Sequence, residues 1–236
     1  MGKEVSIKNI VKEKSCRPEG IRVGTEKGET LFHRPDPILN LSGGIRLQPH
    51  DLNETMLKLR DRLTFLKGRD IKVEFKPAEY EIMVMADASR LEEAFLGLIR
   101  NAGDAMTSGG ILTLCTGQVH FSNGTYPVDG AYEHLYSSCA LFSVSDTGKG
   151  MDGETKRLAF KPFFTTEPGR NTGLGLTLAS AIIRSHVGSV NIESEPGKGT
   201  KVEVYLPLIS ESLKVSASIS RSLKCERPVS AAGHTN

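Results

Sequence analysis

Asp146 is the residue from which the chemistry of this chain can be read. It follows the apolar, strand-like run 139–145 and precedes Gly148 and Gly150 in the turn DTGKG. Glycine at those positions lets ligand and backbone approach closely. A lone carboxylate so placed can accept a hydrogen bond from an exocyclic amine such as that of adenine. Downstream, Gly173 and Gly175 punctuate the start of an apolar helix. Free backbone N–H groups and the positive end of the helix dipole favour phosphate there. One end suits a base and the other a phosphate. Taken singly, DTGKG is more often only a tight turn and GLGL only close helix packing. Their order and spacing within 144–179 carry the nucleotide reading.

A third element bears a polar residue in an apolar setting. From Ser89 the pattern is helical, with Leu91, Ala94, Phe95, Leu98, Ala102 and Ala105 on one face and Asn101 and Asp104 at its margin. An Asn in such a helix costs stability unless its amide is satisfied, so it is either a buried polar contact or a ligand. The residues alone leave both readings open.

The elements that must position these groups follow in order. Asp51 is a plausible N-cap for an amphipathic helix at 52–66, with Leu52, Met56, Leu59, Leu63 and Leu66 forming one buried stripe and Gly68 ending it. Strands are expected at 71–75 and 82–86, separated by Pro77, and at 111–119 after the Gly109-Gly110 turn. A long connection at 120–138 leads to the strand that delivers Asp146. Phe160, Phe163 and Phe164 flank Pro162 ahead of a Thr- and Gly-rich loop, which reads as a flap with an aromatic base or as an ordinary anchored loop. The helix opened by Gly173 carries Leu176, Leu178, Ala179, Ile182 and Ile183. His186 sits near its end, a favourable place for a partly charged imidazole acting as a cap. Strands at 189–194 and 200–206 are joined by the tight hairpin Glu195-Pro196-Gly197-Lys198-Gly199. The GKGT within it lacks the Gly-x4-Gly-Lys-Ser/Thr arrangement of a P-loop.

Composition sets bounds. The 236 residues suffice for one substantial core, and the net charge of +2 is uneven. Residues 1–30 carry 7 basic and 5 acidic side chains and residues 209–236 carry 4 and 2, so the middle is slightly acidic. No basic face is implied, which argues against nucleic acid as main partner. Cys16, Cys115, Cys139 and Cys225 show neither CxxC spacing nor a disulfide ladder, and a reducing cytoplasm is expected. No apolar run is long enough to span a bilayer.

NAGDAM at 101–106, DTGKGM at 146–151, FKPFFTT at 160–166 and NTGLGL at 171–176 stand in the order of the N box, first glycine box, F box and second glycine box. In this the stretch 52–208 resembles the ATP-binding domain of sensor histidine kinases, in the superfamily that includes gyrase B subunits and MutL-type ATPases. The resemblance implies ATP contacts from Asn101, Asp104 and Ala105 in the first motif and from Asp146, Gly148, Gly150 and Met151 in the second. It adds Phe163, then Thr172, Gly173, Leu174, Gly175 and Leu176, and finally Thr200 beside the adenine. Asn101 is the matching Mg²⁺ ligand, its carbonyl oxygen holding the ion against the triphosphate. Two departures stand out. Hydrolysing members place a Glu one turn before the Asn, where this chain has Gly97, so water activation is not expected. Kinases with FFTT usually follow it with Lys, where this chain has Glu167, and Arg170 could supply the charge.

The expected architecture is an α/β two-layer sandwich of the Bergerat type, a mixed, mainly antiparallel sheet with helices near 52–66, 89–106 and 174–186 on one face. Residues 1–50 are expected to be an irregular segment, a possible remnant of a dimerisation or phosphoacceptor region, and 209–236 a disordered tail. The function implied is delivery of the ATP γ-phosphoryl group to a histidine, with a histidine-bearing phosphoacceptor domain and a response regulator as partners. Such a histidine protein kinase is expected to be incomplete on its own. His33, in HRPDPIL, lacks the acid that follows an acceptor histidine, and Pro35 and Pro37 would break its helix. The alternative is a nucleotide-binding regulatory module, like the anti-sigma kinases or a degenerate kinase, acting through protein contacts.

Overall fold

The computed structural model describes residues 45–120, 138–167 and 172–209. Residues 1–44 of the expected irregular segment, His33 among them, the connection 121–137, Arg170, Asn171 and the tail from 210 lie outside the described residues. Asp51 ends a short strand, β1 (Gln48–Asp51), and caps α1 (Leu52–Arg62) by accepting the Asn53 N–H at 3.0 Å. Such a cap contributes about 1 kcal/mol. The same oxygen accepts the Ile82 N–H at 3.0 Å, tying the helix start to a distant loop. The Leu52, Met56, Leu59 stripe is buried, and the last turn tightens to a 3₁₀ helix at Leu63–Leu66 before Gly68, at φ +83°, turns the chain.

Strands β2 (Ile71–Lys76) and β3 (Met83–Ala86) follow, then α2 (Ala88–Ala105), capped by Asp87 through the Arg90 N–H at 3.2 Å. The chain continues through β4 (Gly110–His120), β5 (Ser138–Asp146), α3 (Gly153–Leu158), α4 (Gly175–Ser185), β6 (Ser189–Glu195) and β7 (Gly199–Pro207). Five strands make the main sheet, in the order β2-β4-β5-β7-β6, parallel only between β2 and β4. The sheet is mixed and mainly antiparallel, as expected.

Along β5 the two-residue period sends Ala140, Phe142 and Val144 to the helix side. Phe142 stacks on Phe95 of α2 with ring centroids 3.8 Å apart. Fully burying a side chain of this kind contributes about 1.5–3 kcal/mol, so this contact is a main attachment of α2 to the sheet. On the other face, buried Glu203 accepts from the Tyr205 hydroxyl at 2.8 Å and the Asn191 amide at 3.2 Å, and pairs with Lys201 at 2.5 Å.

One feature differs from expectation and two add to it. The strand expected at 82–86 is not in the main sheet: β3 pairs antiparallel with β1, and a Val84–Leu208 bridge links this ribbon to the residue after β7. Alternating apolar residues announce a strand but not its partner. The charged stretch after Met151 forms the short helix α3, started by Asp152, whose carboxylate accepts the Thr155 N–H at 2.7 Å. His186 is 3% exposed, and no charge is needed to explain its place. Its Nε2 faces the Asp87 N–H at 3.0 Å and must accept, while Nδ1 faces the Ile182 carbonyl at 2.8 Å and must donate. That is the neutral Nδ1–H tautomer, joining the end of α4 to the cap of α2.

Candidate nucleotide-binding site

Helix α2, the first turn of α4 and the ends of β5 and β7 enclose a cleft of about 1000 Å³. Asp146, the last residue of β5, shares the phase of Phe142 and Val144, so its carboxylate enters this cleft from the sheet, and it is 6% exposed. It accepts the Gly148 N–H at 2.8 Å and a backbone hydrogen bond from Thr200, its antiparallel partner on β7. Burial outweighs these donors and raises its pKa above the usual carboxylate value.

Thr200 belongs to a small network around that acid. The Ser194 hydroxyl lies 3.0 Å from the Gly199 carbonyl, to which it must donate, and accepts the Met151 N–H at 2.8 Å. The Thr200 hydroxyl, 2.9 Å from Ser194, is then the donor of that pair, and its lone pairs remain for a ligand. The turn beneath is glycine by necessity. Gly150 has φ +65°, and a methyl group there would strike the Glu195 carbonyl oxygen.

Asn101 reaches the cleft from α2 and meets the start of α4: a methyl group on Gly175 would lie 3.5 Å from its amide. Its Nδ2 is buried without a hydrogen-bond partner, a state that normally costs about 1–3 kcal/mol. Helix α4 follows Leu174, its N-cap, which makes no side-chain cap hydrogen bond, so its first turn starts beside that amide without a capping side chain. No group of three or more His, Cys, Asp or Glu able to hold a metal occurs among the described residues. A cation here would take Asn101 oxygen and complete its shell from a ligand's phosphates and water, which is how Mg²⁺ is commonly held. The residues present fit that group.

Charged side chains frame the opening. Lys149 pairs with Glu167 at 2.7 Å, and its backbone is fixed on both sides, N–H to Ala105 O at 3.1 Å and carbonyl to the Gly197 N–H at 2.8 Å. Arg62 pairs with Glu92. Arg69 reaches Asp104 at 3.3 Å, and the Arg100 guanidinium lies 5.5 Å from the centre of the Phe65 ring.

Of the residues expected here, Asn101, Asp104, Ala105, Asp146, Gly150, Met151, Thr172, Gly173, Gly175, Leu176 and Thr200 line the cleft, and Gly148, Phe163 and Leu174 do not. Gly148 is pressed on the end of α2, where a methyl group would meet the Ala105 carbonyl oxygen at 2.5 Å. Phe163 is 75% exposed with φ +64°, and Phe164 lines the cleft in its place. Leu174 starts α4, its carbonyl accepting the Leu178 N–H at 2.9 Å. Sequence reasoning also missed Lys149, Arg100 and Glu93 as lining residues. For the residues of α2 a signal existed, since 93, 97, 100, 101 and 104 follow one helical stripe. For Phe164 in preference to Phe163 none did, because an irregular loop has no period.

The family described as histidine kinase-, DNA gyrase B-, and HSP90-like ATPase matches residues 86–210. Sensor kinase CckA of Brucella abortus is 34% identical over 172 residues, which is 71% of this chain and 18% of that protein. Sporulation kinase C of Bacillus subtilis is 33% identical over 171 residues, 71% of this chain and 36% of the relative. The chain thus spans well under half the length of these relatives. The solved histidine kinase ThkA, in complex with response regulator protein TrrA, superposes with a TM-score of 0.55 at 21% identity, covering 71% of this chain and 43% of that one. Asp146 and Asn101, facing one cleft from β5 and α2, fall inside the matched span, and the chain belongs to the histidine kinase-, DNA gyrase B-, and HSP90-like ATPase family as a catalytic ATP-binding domain of the sensor histidine kinase type.

Proposed function

We propose that the cleft binds ATP with Mg²⁺ and delivers the γ-phosphoryl group to a histidine presented by another chain or segment, the protein acting as the kinase part of a two-component system. The observation that carries this reading is the presence of a buried acceptor, Asp146 at the end of β5, and an orphaned amide, Asn101 of α2, in the lining of one cleft. Asp146 accepts the adenine amino proton, with Thr200 beside it. Asn101 and the first N–H groups of α4 hold the phosphate end. Asn101 Oδ1 would be the chain's own ligand for Mg²⁺, whose charge would offset that of the phosphates.

The chain's own residues align the substrate and contribute little covalent chemistry, which suits phosphoryl transfer. Gly97 lines the cleft where hydrolysing relatives carry a Glu, leaving no carboxylate at that position to activate water. The acceptor histidine attacks phosphorus and ADP leaves. A response regulator is then the expected recipient. No helix among the described residues is long and apolar enough to cross a membrane.

The test is incubation with γ-labelled ATP and Mg²⁺, alone and with a histidine-bearing helical hairpin from a sensor kinase. Acid-labile label is expected on the hairpin and not on the isolated chain. Tight ATP binding without label on any hairpin tried would favour a regulatory module, and acid-labile label on the isolated chain that vanishes in His33→Gln would make the protein a self-contained kinase.

A further inference from the structure

Three cations among the described residues line the cleft: Arg62, Lys149 and Arg100. Two already have carboxylate partners, Arg62 with Glu92 and Lys149 with Glu167. Arg100 has none; its guanidinium lies over the Phe65 ring, 5.5 Å from the centroid. A planar guanidinium on an aromatic face keeps its N–H fork open for an anion and loses less freedom when it binds one.

Its place on the helix is the second observation. Glu93, Gly97, Arg100, Asn101 and Asp104 form the stripe of α2 that faces the cleft. Glu93 is engaged by Arg90 at 3.3 Å and Asp104 by Arg69 at 3.3 Å, so both acids of the stripe are drawn to other arginines. Arg100 stands next to Asn101, whose amide nitrogen is buried and unpartnered, while Arg100 itself is exposed at the rim. The inner groups, Asn101 and the start of α4, meet the inner phosphates first, and the rim cation meets what protrudes furthest.

We propose that Arg100 binds the terminal phosphate of the nucleotide and sets the preference for tri- over diphosphate, an inference that rests on the cleft being an ATP site. It supplies the charge that a lysine at position 167 would otherwise bring, since Glu167 there is spent on Lys149. Phe65 is the positioning residue beneath it.

Calorimetric titration of ATP and ADP, with Mg²⁺, into wild type, Arg100→Gln and Arg100→Lys tests this. In the glutamine variant ATP affinity should fall roughly tenfold, the scale of one charge-assisted hydrogen bond. ADP affinity should change by less than about threefold, as for a screened charge that is not in contact. The lysine variant should recover part of the ATP affinity, keeping the charge but not the fork. Equal losses for ATP and ADP, or no loss for either, in a variant whose circular dichroism matches wild type would overturn the assignment and leave the ATP site standing. A wild type that binds neither nucleotide would overturn both.

Discussion

Asp146→Asn exchanges one carboxylate oxygen for an amide at nearly constant shape, so its effects report on charge and hydrogen bonding alone. A hydrogen bond from a ligand amine to a charged acceptor is worth about 1.5–3 kcal/mol. Asp146 already accepts from the Gly148 and Thr200 N–H groups, which share its charge and place the loss in the lower half of that range. ATP affinity should therefore fall roughly 10- to 40-fold, at 1.4 kcal/mol per decade, and preference over GTP should narrow. The same acid leaves a signature without ligand. Its folded pKa is raised by burial above the unfolded value. Below the usual Asp value, about 3.9, the group is neutral in both states. As pH rises from there the unfolded chain ionises first, and the folded state loses stability until the raised pKa is passed, beyond which the loss is constant. The asparagine variant has no such loss. Its Tm relative to wild type should move in its favour from about pH 4 to neutrality. Calorimetric titration with ATP and GTP, and melting curves across that range, read both effects. Unchanged ATP affinity in a folded variant would remove Asp146 from base recognition, and a Tm difference flat in pH would refute the burial argument.

Asn101→Ala should abolish most of the Mg²⁺ dependence of ATP binding while shifting the urea midpoint little, because the amide nitrogen makes no hydrogen bond that would be lost. Equal loss of stability and of metal-free binding would make Asn101 structural. Gly150→Ala forces a methyl group into the Glu195 carbonyl at φ +65° and should destabilise the fold by more than about 1 kcal/mol in urea unfolding. A neutral result would mean that this turn is free to move away from β6.

Sequence and structure agree where a residue's role is local. Asp51 as a cap, the stripe of α1, Gly68 as a stop and the EPGKG hairpin all depend on neighbours within a few residues, and periodicity and turn chemistry expose them. Asp146 and Asn101 were legible because each stands in a motif with characteristic spacing. What stayed hidden depends on partners far along the chain. Asp87 and His186 meet across the helices, β3 finds β1 in place of the main sheet, and Lys149 finds Glu167, none of which a local pattern encodes. Phe163 and Phe164 differ only in which way an irregular backbone turns them, and a φ of +64° at a phenylalanine is set by the surrounding fold, here the Phe163 N–H to Gly173 carbonyl bond at 3.1 Å.

The sheet order has a consequence for how the protein is kept folded. β5 lies in the middle of the sheet, yet its neighbour β7 is the last strand among the described residues, and Asp146 meets Thr200 only when that strand is in place. The cleft also needs α4, which precedes β6 and β7, so its walls are drawn from both ends of the domain. No partly folded chain lacking the final hairpin can offer the base its floor. A nucleotide seated there binds the native state alone, and at a free concentration a hundred times its Kd it adds about 2.7 kcal/mol to unfolding, a sizeable share of a small domain's margin. On the proposed reading the nucleotide would be a folding ligand as well as a substrate, and raising its concentration should raise resistance to heat and proteolysis.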